Sequence, residues 1–367
     1  MDECKDKKPE WTPEGAGPEF ASFVAEGVPG PDAVRLRKRV KRRELTVDDY
    51  VDGVLEGNRT ILARAITLIE SQSPSHLETG LEVLQQLLPH SGKSKRVGIT
   101  GVPGAGKSTF VESLGFQLCE EGHQVAVLAI DPSSSLSGGS ILGDKTRMEK
   151  LANHSSAFIR PSPTGGNLGG VAEKSRSTMI LCEAAGYDVV LVETVGVGQN
   201  ETTVRGMVDC FLLLSIAGAG DDLQGIKKGV VEIADLFVVN KADGNNKTRA
   251  ARSRSEMETV LHYLNPFTPS WTVPALTCSA MMGHGVKDVW DKVISFFEHL
   301  DKEDILNRRR SEQNVDWMHE MIFQEIRHRF FLNDRVAKDL KGIEKDVYEQ
   351  NLPPYLGAKT LLEKFLN

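Results

Sequence analysis

Six short apolar runs between Arg96 and Cys278 constrain the fold more than any other feature of this chain. They are VGIT (97–100), VAVLAI (125–130), VVLVE (189–193), FLLLSI (211–216), LFVVN (236–240) and VPALTC (273–278). Each run is apolar at nearly every position, which indicates strands buried on both faces of a sheet. Because longer stretches of helical character separate the runs, we predict an α/β fold with a mostly parallel central sheet and crossover helices.

Helical periodicity precedes and follows this central part. Two series separated by Pro74 repeat at helical spacing: Leu55, Leu62, Ile66 and Ile69, then Leu77, Leu81, Leu84 and Leu88. Beyond residue 300 one apolar stripe comprises Met318, Met321, Ile322, Ile326 and Phe330. We therefore predict four parts: a flexible tail (1–33), an N-terminal helical segment (34–92), a central domain (93–300) and a C-terminal helical arm (301–367).

The charge and the cysteine content argue against several classes of protein. A net charge of −7 argues against a general nucleic-acid binder, and the basic run 35–43 is interpreted as a solvated surface. The five cysteines form no C-x-x-C pair, which argues against a zinc site or a disulfide framework. No apolar run reaches the ~18 residues that a membrane span needs, and no targeting signal is visible. We expect the cytoplasm of a bacterium or, with a leader removed, the mitochondrial matrix of a eukaryote.

A glycine-rich loop follows the first predicted strand. Its sequence, GVPGAGKS (101–108), matches the G-x-x-x-x-G-K-[ST] pattern between a strand and a predicted helix (109–121). Glycines let backbone N–H groups converge on phosphate oxygens, and the helix N-terminus adds a positive dipole end. We expect Lys107 to act as the catalytic cation on the β- and γ-phosphates and Ser108 to bind Mg2+. The predicted phosphate-binding residues are Gly101, Val102, Pro103, Gly104, Ala105, Gly106, Lys107, Ser108 and Thr109.

The strand VVLVE ends in an acidic residue, and a glycine follows three residues later. Glu193 can orient Mg2+ or its water, and Gly196 can offer its N–H group to the γ-phosphate. Most GTPases have aspartate in this D-x-x-G motif, so we expect the longer Glu193 side chain to reach the metal through water. Val197 stands where small GTPases have the glutamine that orients the hydrolytic water, which predicts slow hydrolysis without a partner.

A second loop, NKAD (240–243), matches the N-K-x-D pattern at the end of a predicted strand. Asp243 can accept the N1–H and N2–H groups of guanine, which adenine lacks, so bound adenine would leave a buried carboxylate unpaired. Asn240 is expected to brace the loop, and the Lys241 stem to cover the base. Backbone N–H groups at Ser279 and Ala280, after the next strand, can meet guanine O6. This ordered set predicts a GTP-binding protein.

Three further segments are candidates for contacts that change with the nucleotide. Asp131 and Asp144 can touch Mg2+ or water as catalytic groups, or can act as helix N-caps. The glycine-rich segment 217–228 is interpreted as a mobile element rather than an ordinary surface loop. The residues predicted to couple the nucleotide to a partner are Gln199, Asn200, Glu201, Asp221, Asp222, Gln224, Lys227 and Lys228.

Seven stretches together resemble one protein family closely. They are GVPGAGKSTF, LAIDPSS, GGSILGDKTRM, IRPSPTGGNLGG, ETVGVGQNE, AGAGDDLQGIKKG and NKAD, and the resemblance spans about residues 46–366. On these residues the chain is identified as a member of the GTPase chaperones of methylmalonyl-CoA mutase, the MeaB/ArgK type, called MMAA in animals. IRPSPTGGNLGG and GDDLQGIKKG are the most specific stretches, because general GTPases lack them.

The resemblance implies a GTP hydrolase, slow alone and stimulated by its partner. It implies that the chain gates adenosylcobalamin loading and the protection or reactivation of methylmalonyl-CoA mutase. It implies Mg2+ near Ser108, Asp131, Asp144 and Glu193, with GTP or GDP as ligand and no cobalamin bound by this chain. It also implies a homodimer formed through the C-terminal arm, with the adenosyltransferase that delivers cobalamin as a further candidate partner. Neither nucleic acid nor a membrane is expected as a partner.

Three other interpretations stay open at this point. A nickel metallochaperone GTPase of the same class should carry a His-rich tail or a C-x-x-C site, and neither is present. A kinase of small substrates, as the older ArgK label suggests, conflicts with the guanine pattern at Asp243. A structural interaction protein without turnover leaves Lys107 and Ser108 unexplained. Metal content separates the first of these from the GTPase chaperone, and nucleotide preference separates the second.

Overall fold

The computed structural model describes residues 45–71, 73–131, 148–163, 168–194, 200–217 and 228–366. Within these ranges it does not describe the side chains of Pro74, Asp131, 162–163, 168–173, Asn200 and Lys228. Thr46–Asn367 forms one compact unit. The predicted tail (1–33) and the basic run 35–43 lie outside the described residues.

The described residues contain a seven-stranded sheet with the order β3-β2-β4-β1-β5-β6-β7. The strands are β1 Lys95–Gly101, β2 Val125–Asp131, β3 Ala157–Pro163, β4 Val189–Thr194, β5 Cys210–Ile216, β6 Leu236–Asn240 and β7 Ala275–Thr277. Each neighbouring pair is parallel, which confirms the predicted α/β fold. Strands β4, β5 and β6 are buried along almost their whole length, as expected for strands covered on both faces.

The two edge strands differ from the sequence prediction. Strand β3 has no counterpart among the predicted runs, because its sequence AFIRPSP contains Arg160 and two prolines. Proline has no N–H group to donate, but β3 pairs only with β2, and an edge strand tolerates such residues. At the other edge β7 covers three residues of the predicted run 273–278. Edge strands are therefore the elements that the apolar pattern defines least well.

Helices cover both faces of the sheet, and Phe110, Phe296, Leu191 and Leu212 belong to one large buried core beside it. In chain order the helices are α1 Val47–Leu55, α2 Arg59–Glu70, α3 Pro74–Leu87, α4 Lys107–Glu120, α5 Glu149–Ala152, α6 Leu168–Ala184, α7 Asn200–Arg205, α8 Lys228–Glu232, α9 Lys247–His262, α10 Val286–Lys302, α11 Ile305–Leu332, α12 Asp334–Tyr348 and α13 Pro354–Leu366. Over the described ranges, none of them is both long enough and apolar enough to cross a membrane.

The stretch from residue 46 to 90 folds into three helices, whereas the sequence predicts two segments. Besides the predicted break before Pro74, the chain is interrupted after α1, where Gly57 has a left-handed backbone with φ of 71°. Asn58 then caps α2, because its side-chain oxygen accepts the N–H groups of Thr60 and Ile61. The leucine spacing alone does not reveal this stop and restart. Helices α2 and α3 pack against α6, outside the layer that covers the sheet.

Strand β1 approaches β5 so closely at its end that a side chain does not fit. A Cβ atom on Gly101 would lie 2.1 Å from the carbonyl oxygen of Leu214. After the loop, Gly106 has φ of 84° and α4 begins at Lys107, two residues before the predicted start at Thr109. The early start places Lys107 in the first turn, where backbone N–H groups point out of the helix end.

Candidate nucleotide-binding site

Four strands end at one edge of the sheet and bring the sequence motifs together. Strand β1 ends at Gly101, β4 at Thr194, β6 at Asn240 and β7 at Thr277. Because the strands are parallel, the loops that follow them lie along the same edge, which is where open α/β sheets bind ligands. The phosphate loop, the acidic strand end and the two predicted base-binding loops therefore line a common site.

The phosphate loop turns on two glycines with left-handed backbones. The φ angles are 78° at Gly104 and 84° at Gly106, a region that other residues rarely adopt. No described atom lies within 4 Å of a Cβ atom built on Gly104, so the backbone there faces open space that a phosphate can enter. A Cβ atom on Gly106 would lie 2.8 Å from Asn240 Nδ2, so any larger residue would displace the neighbouring loop. Of the remaining loop residues, Val102 packs against the core, while Pro103 and Thr109 are exposed.

Lys107 is buried and held by its own loop. Its ammonium group donates hydrogen bonds to the carbonyl oxygens of Gly101 (2.9 Å) and Val102 (3.2 Å). Burial lowers the pKa of the Lys107 ammonium group, and the negative charges of Glu193 and Glu201 oppose part of that decrease. The loop therefore holds a cation at its mouth, with acidic groups of β4 and α7 within electrostatic reach.

Two of the four predicted Mg2+ ligands meet in the structure. The Ser108 hydroxyl donates a 2.7 Å hydrogen bond to Glu193 Oε1, and the Glu193 side chain is buried. Hydroxyl and carboxylate oxygens are the hard ligands that Mg2+ prefers, and Mg2+ usually completes its shell with waters and phosphate oxygens. This composition fits a nucleotide-bound Mg2+. The described residues contain no group of three or more His, Cys, Asp or Glu side chains that could hold a metal by themselves.

Asn240 links the phosphate loop to both base-binding loops. Its Nδ2 donates to the carbonyl oxygen of Ala105 (2.8 Å), and its Oδ1 accepts the N–H group of Ala280 (3.0 Å). The thiol of Cys278 also donates to Oδ1 (3.4 Å). One buried amide thus fixes the distance between the loop predicted to hold the phosphates and the loops predicted to hold the base.

The base-reading loop is held in shape by its neighbours. Ser279 Oγ donates a 2.5 Å hydrogen bond to Asp243 Oδ2, which fixes the orientation of the carboxylate. Lys241 has a left-handed backbone with φ of 59°, and Asn246 Nδ2 donates to its carbonyl oxygen (2.8 Å). The N–H group of Ala242 donates to the Cys278 carbonyl oxygen (2.9 Å). The loop therefore presents Asp243 next to Ser279. The two N–H groups predicted to meet guanine O6 have other acceptors here: Ser279 donates to the His284 carbonyl oxygen (2.8 Å), and Ala280 donates to Asn240 Oδ1.

Several other predicted site residues cannot be compared with their expected positions. Gly196, Asp144, Gln199, Asp221, Asp222, Gln224 and Lys227 lie outside the described residues. Asp131 ends β2, Asn200 begins α7 and Lys228 begins α8, but the structure describes none of these three side chains. Glu201, in the first turn of α7, is buried.

Two buried threonines support the site although the sequence analysis names neither. Thr194 Oγ1 donates to Thr100 Oγ1 over 2.9 Å, which joins the ends of β4 and β1. Those ends carry Glu193 and the phosphate loop, so the pair fixes their separation. Each threonine stands beside a recognised motif, and that position is the only sequence signal. The pairing itself depends on β1 and β4 being neighbours, which the motifs do not specify.

The fold and the site define a P-loop nucleotide-binding protein with the guanine-binding pattern of GTPases. A family model described as "Methylmalonyl Co-A mutase-associated GTPase MeaB" matches residues 62–335. The chain belongs to this family of GTPases.

Individual relatives agree with that family. GTPase ArgK of Escherichia coli (strain K12) is 46% identical over 320 residues, covering 87% of this chain and 97% of that protein. The mitochondrial methylmalonic aciduria type A homolog of Mus musculus is 41% identical over 329 residues, covering 87% of this chain and 79% of that protein. A crystal structure of LAO/AO transport system kinase has a TM-score of 0.72 at 39% identity, covering 89% of this chain and 99% of that one. The family resemblance drawn from the sequence motifs is confirmed.

The Asn240 link predicts the effect of removing its amide. Asn240→Ala leaves the Ala105 carbonyl and the Ala280 N–H group without this partner in a buried position, at a cost of about 1–3 kcal/mol each. We expect a lower unfolding midpoint in denaturant and at least a roughly tenfold weaker affinity for a fluorescent GDP analogue. Asn351→Ala, which removes an exposed amide contact in the C-terminal arm, is the control. Unchanged GDP affinity in Asn240→Ala would contradict the assigned link.

Proposed function

We propose that this GTPase binds GTP with Mg2+ at the described edge of the sheet and serves methylmalonyl-CoA mutase as a chaperone. It would hydrolyse GTP to gate adenosylcobalamin loading and the protection or reactivation of the mutase. The observation that carries the nucleotide assignment is the Asn240 amide, which ties the phosphate loop to the loops that carry Asp243 and Ala280. A ligand that fits both ends of this link has phosphates at one end and a guanine base at the other.

Guanine recognition rests on the Asp243 carboxylate. Ser279 Oγ orients one oxygen of this carboxylate, and the N–H group of Ala280 is fixed nearby by Asn240. The carboxylate would accept two N–H groups of guanine. The N–H groups of Ser279 and Ala280 already donate to the His284 carbonyl oxygen and to Asn240 Oδ1, so either would have to leave its present acceptor to meet the base oxygen. Adenine offers no such donor pair, so this loop argues against an ATP-dependent kinase, although one similar crystal structure is described as a kinase.

Asp243→Asn tests the base assignment. The amide still accepts from Ser279 Oγ but presents a donor where guanine also donates. We expect GDP affinity to fall by roughly 100-fold or more and xanthosine diphosphate to bind more tightly than GDP. The measurement is competition against a fluorescent nucleotide, with Asp288→Asn, an exposed residue in the first turn of α10, as the control. The assignment fails if the guanine preference of Asp243→Asn equals that of the wild type.

Phosphate binding and catalysis would use the first turn of α4. Backbone N–H groups of 104–109 and the Lys107 ammonium group would neutralise the β- and γ-phosphates. Ser108 and Glu193 would hold Mg2+, with Asp131 and Asp144 proposed as further ligands or water-orienting groups. When bound, Mg2+ supplies charge stabilisation to the phosphate oxygens. Gly196 would donate its N–H group to the γ-phosphate.

The link to the mutase is supported by the name of the family and by that of the mouse methylmalonic aciduria homolog. The proposed coupling residues are Gln199, Asn200, Glu201, Asp221, Asp222, Gln224, Lys227 and Lys228. Val197 replaces the usual water-orienting glutamine, so we propose slow basal turnover that the partner accelerates. The adenosyltransferase that supplies cobalamin is a second proposed partner. We propose the mitochondrial matrix for a eukaryotic source, in agreement with the mitochondrial mouse homolog, and the cytoplasm for a bacterial source.

GTP turnover with and without purified methylmalonyl-CoA mutase tests this function. Wild type should hydrolyse GTP slowly and faster with mutase, and Lys107→Ala should lose both activities by roughly 100-fold or more. Gln224→Ala and Lys227→Ala should keep the basal rate and lose the stimulation. Lys292→Ala, an exposed lysine of α10, is the control. Near-normal turnover in folded Lys107→Ala refutes the catalytic assignment, and absence of stimulation refutes the partner.

We also propose that the chain is a homodimer and that α11 forms the interface. Met318, Ile322 and Ile326 lie one helical turn apart and are 50%, 47% and 50% exposed. Phe330, the last member of the predicted stripe, is instead covered by α13, with its ring centroid 5.3 Å from that of Phe365. These residues leave an exposed apolar face on α11, and a second copy would cover it with the same face.

Charge introduced on this face should separate the dimer without unfolding the protein. We expect the Ile322→Glu, Ile326→Glu double variant to have half the wild-type mass in light scattering. Substitution is preferable to deleting α11, because Arg309 and Arg310 of that helix bind the buried Asp209. Val260→Glu, at an exposed position on α9, is the control. A variant that keeps the wild-type dimer mass, or a monomeric wild type, rules out this interface.

A further inference from the structure

Helix α7 spans from the nucleotide site toward the opposite edge of the sheet. Its first turn carries the buried Glu201, whose charge acts on the Lys107 ammonium group. Its last residue is Arg205, and four residues later Asp209 donates its N–H group to the carbonyl oxygen of Arg96 at the start of β1. One end of this short segment therefore faces the phosphate loop, and the other faces the amino end of the sheet.

Two side chains from other helices donate hydrogen bonds to the second end of this segment, at residues 205–208. Gln313 of α11 donates from Nε2 to the carbonyl oxygens of Val208 (2.9 Å) and Arg205 (3.4 Å). Arg176 of α6 donates from Nη2 to the carbonyl oxygen of Gly206 (2.8 Å). Arg176 also donates from Nη1 to the backbone carbonyl oxygen of Gln313 (3.1 Å), so the two residues are bonded to each other. We call Gln313 and Arg176 the clamp.

The clamp is itself fixed to the sheet. Arg310, three residues before Gln313 on α11, forms a bidentate pair with the Asp209 carboxylate, at 2.8 Å and 2.6 Å. Arg309 donates to the Asp209 carbonyl oxygen and to Thr268 Oγ1. Because Asp209 is fully buried directly before β5, these contacts give the first turns of α11 little freedom to move. Gln313 therefore holds α7 from a rigid base.

The face of α7 that meets the sheet is also closely fitted. A Cβ atom on Gly98 of β1 would lie 3.1 Å from Val204 and 3.0 Å from Val208. The glycine lets these side chains rest directly on the strand that leads into the phosphate loop. Helix α7 has only six residues, too few to be stable by intrinsic propensity, so its position depends on such contacts.

We propose that Gln313 is a positioning residue for GTP hydrolysis. Together with Arg176 it fixes residues 205–208, the last residue of α7 and the turn that follows it. A change of nucleotide then moves the Glu201 end of α7 and leaves residues 205–208 in place as a pivot. The inference rests on the proposed GTPase site. It also gives the C-terminal arm a mechanical connection to that site, because Gln313 and the exposed face of α11 belong to one helix.

Gln313→Met removes the donor while keeping the length of the side chain and adding no charge among the neighbouring arginines. We expect a roughly 3- to 10-fold lower kcat for GTP, with the KM for GTP changed by less than about twofold, because the phosphate and base contacts remain. Asn314→Leu makes the same kind of change at the adjacent exposed position and should behave as wild type. A purely structural role for Gln313 would lower the amount of folded protein and leave kcat per folded molecule unchanged.

Hydrogen exchange gives a readout that does not depend on turnover. In the wild type, exchanging GDP for a non-hydrolysable GTP analogue should alter the amides of 201–204 and leave those of 206–208 unchanged. In Gln313→Met the amides of 206–208 should exchange faster and become sensitive to the nucleotide, while β1 and β5 stay protected.

The outcomes separate this inference from the proposed function. If the wild type hydrolyses GTP and Gln313→Met has the same kcat, the positioning role is overturned. It is also overturned if kcat falls as much in Asn314→Leu as in Gln313→Met. Unchanged exchange at 206–208 in Gln313→Met overturns the pivot, whatever the activity. A wild type that binds no guanine nucleotide overturns the proposed function instead, and the exchange of 206–208 in Gln313→Met still tests the clamp.

Discussion

The buried amide of Asn240 is the interaction on which the nucleotide site depends. Its donor and its acceptor reach two different loops, so the phosphate loop and the Ser279–Ala280 turn cannot shift independently. Amide hydrogen bonds are directional, and an unpaired buried partner costs free energy. The Asn240 link therefore fixes the distance between the two loops, and we expect the affinity for nucleotide to depend on it. Gly106 belongs to the same contact, since it leaves room for Asn240 Nδ2 beside the loop.

The opposite edge of the sheet depends on buried charge. Asp209 and Asp235 are almost fully buried, and each is paired with an arginine, Arg310 and Arg205 respectively. Thr268 Oγ1 donates to Asp235 and accepts from Arg309, so the charged groups also have hydrogen-bond partners. Removing one partner from such a set leaves an uncompensated buried charge. We infer that this set holds α11 against the sheet. It thereby keeps Gln313 of α11 within hydrogen-bond distance of Arg205 and Val208.

Sequence patterns located the central strands and the nucleotide loops because those features are local. A continuous apolar run needs only burial on both faces, and GVPGAGKS needs only a strand before it and a helix after it. The same reasoning did not predict strand β3, because Arg160 and Pro161 interrupt its apolar pattern. Such residues are tolerated there because β3 is an edge strand that pairs only with β2. The split between α1 and α2 at Gly57 is also local, but the leucine spacing obscured it.

The sequence by itself determined the class of the fold, the family and the loops of the nucleotide site, because each of these is encoded in contiguous residues. Tertiary structure decided which of those residues touch. Ser108 meets Glu193 and Asn240 meets Ala105 only because β1, β4 and β6 are parallel and end at one edge. Gln313 reaches Arg205 across 108 residues of chain because α11 is pinned to the start of β5. Contacts between distant segments depend on strand order and helix docking, and no local pattern specifies either.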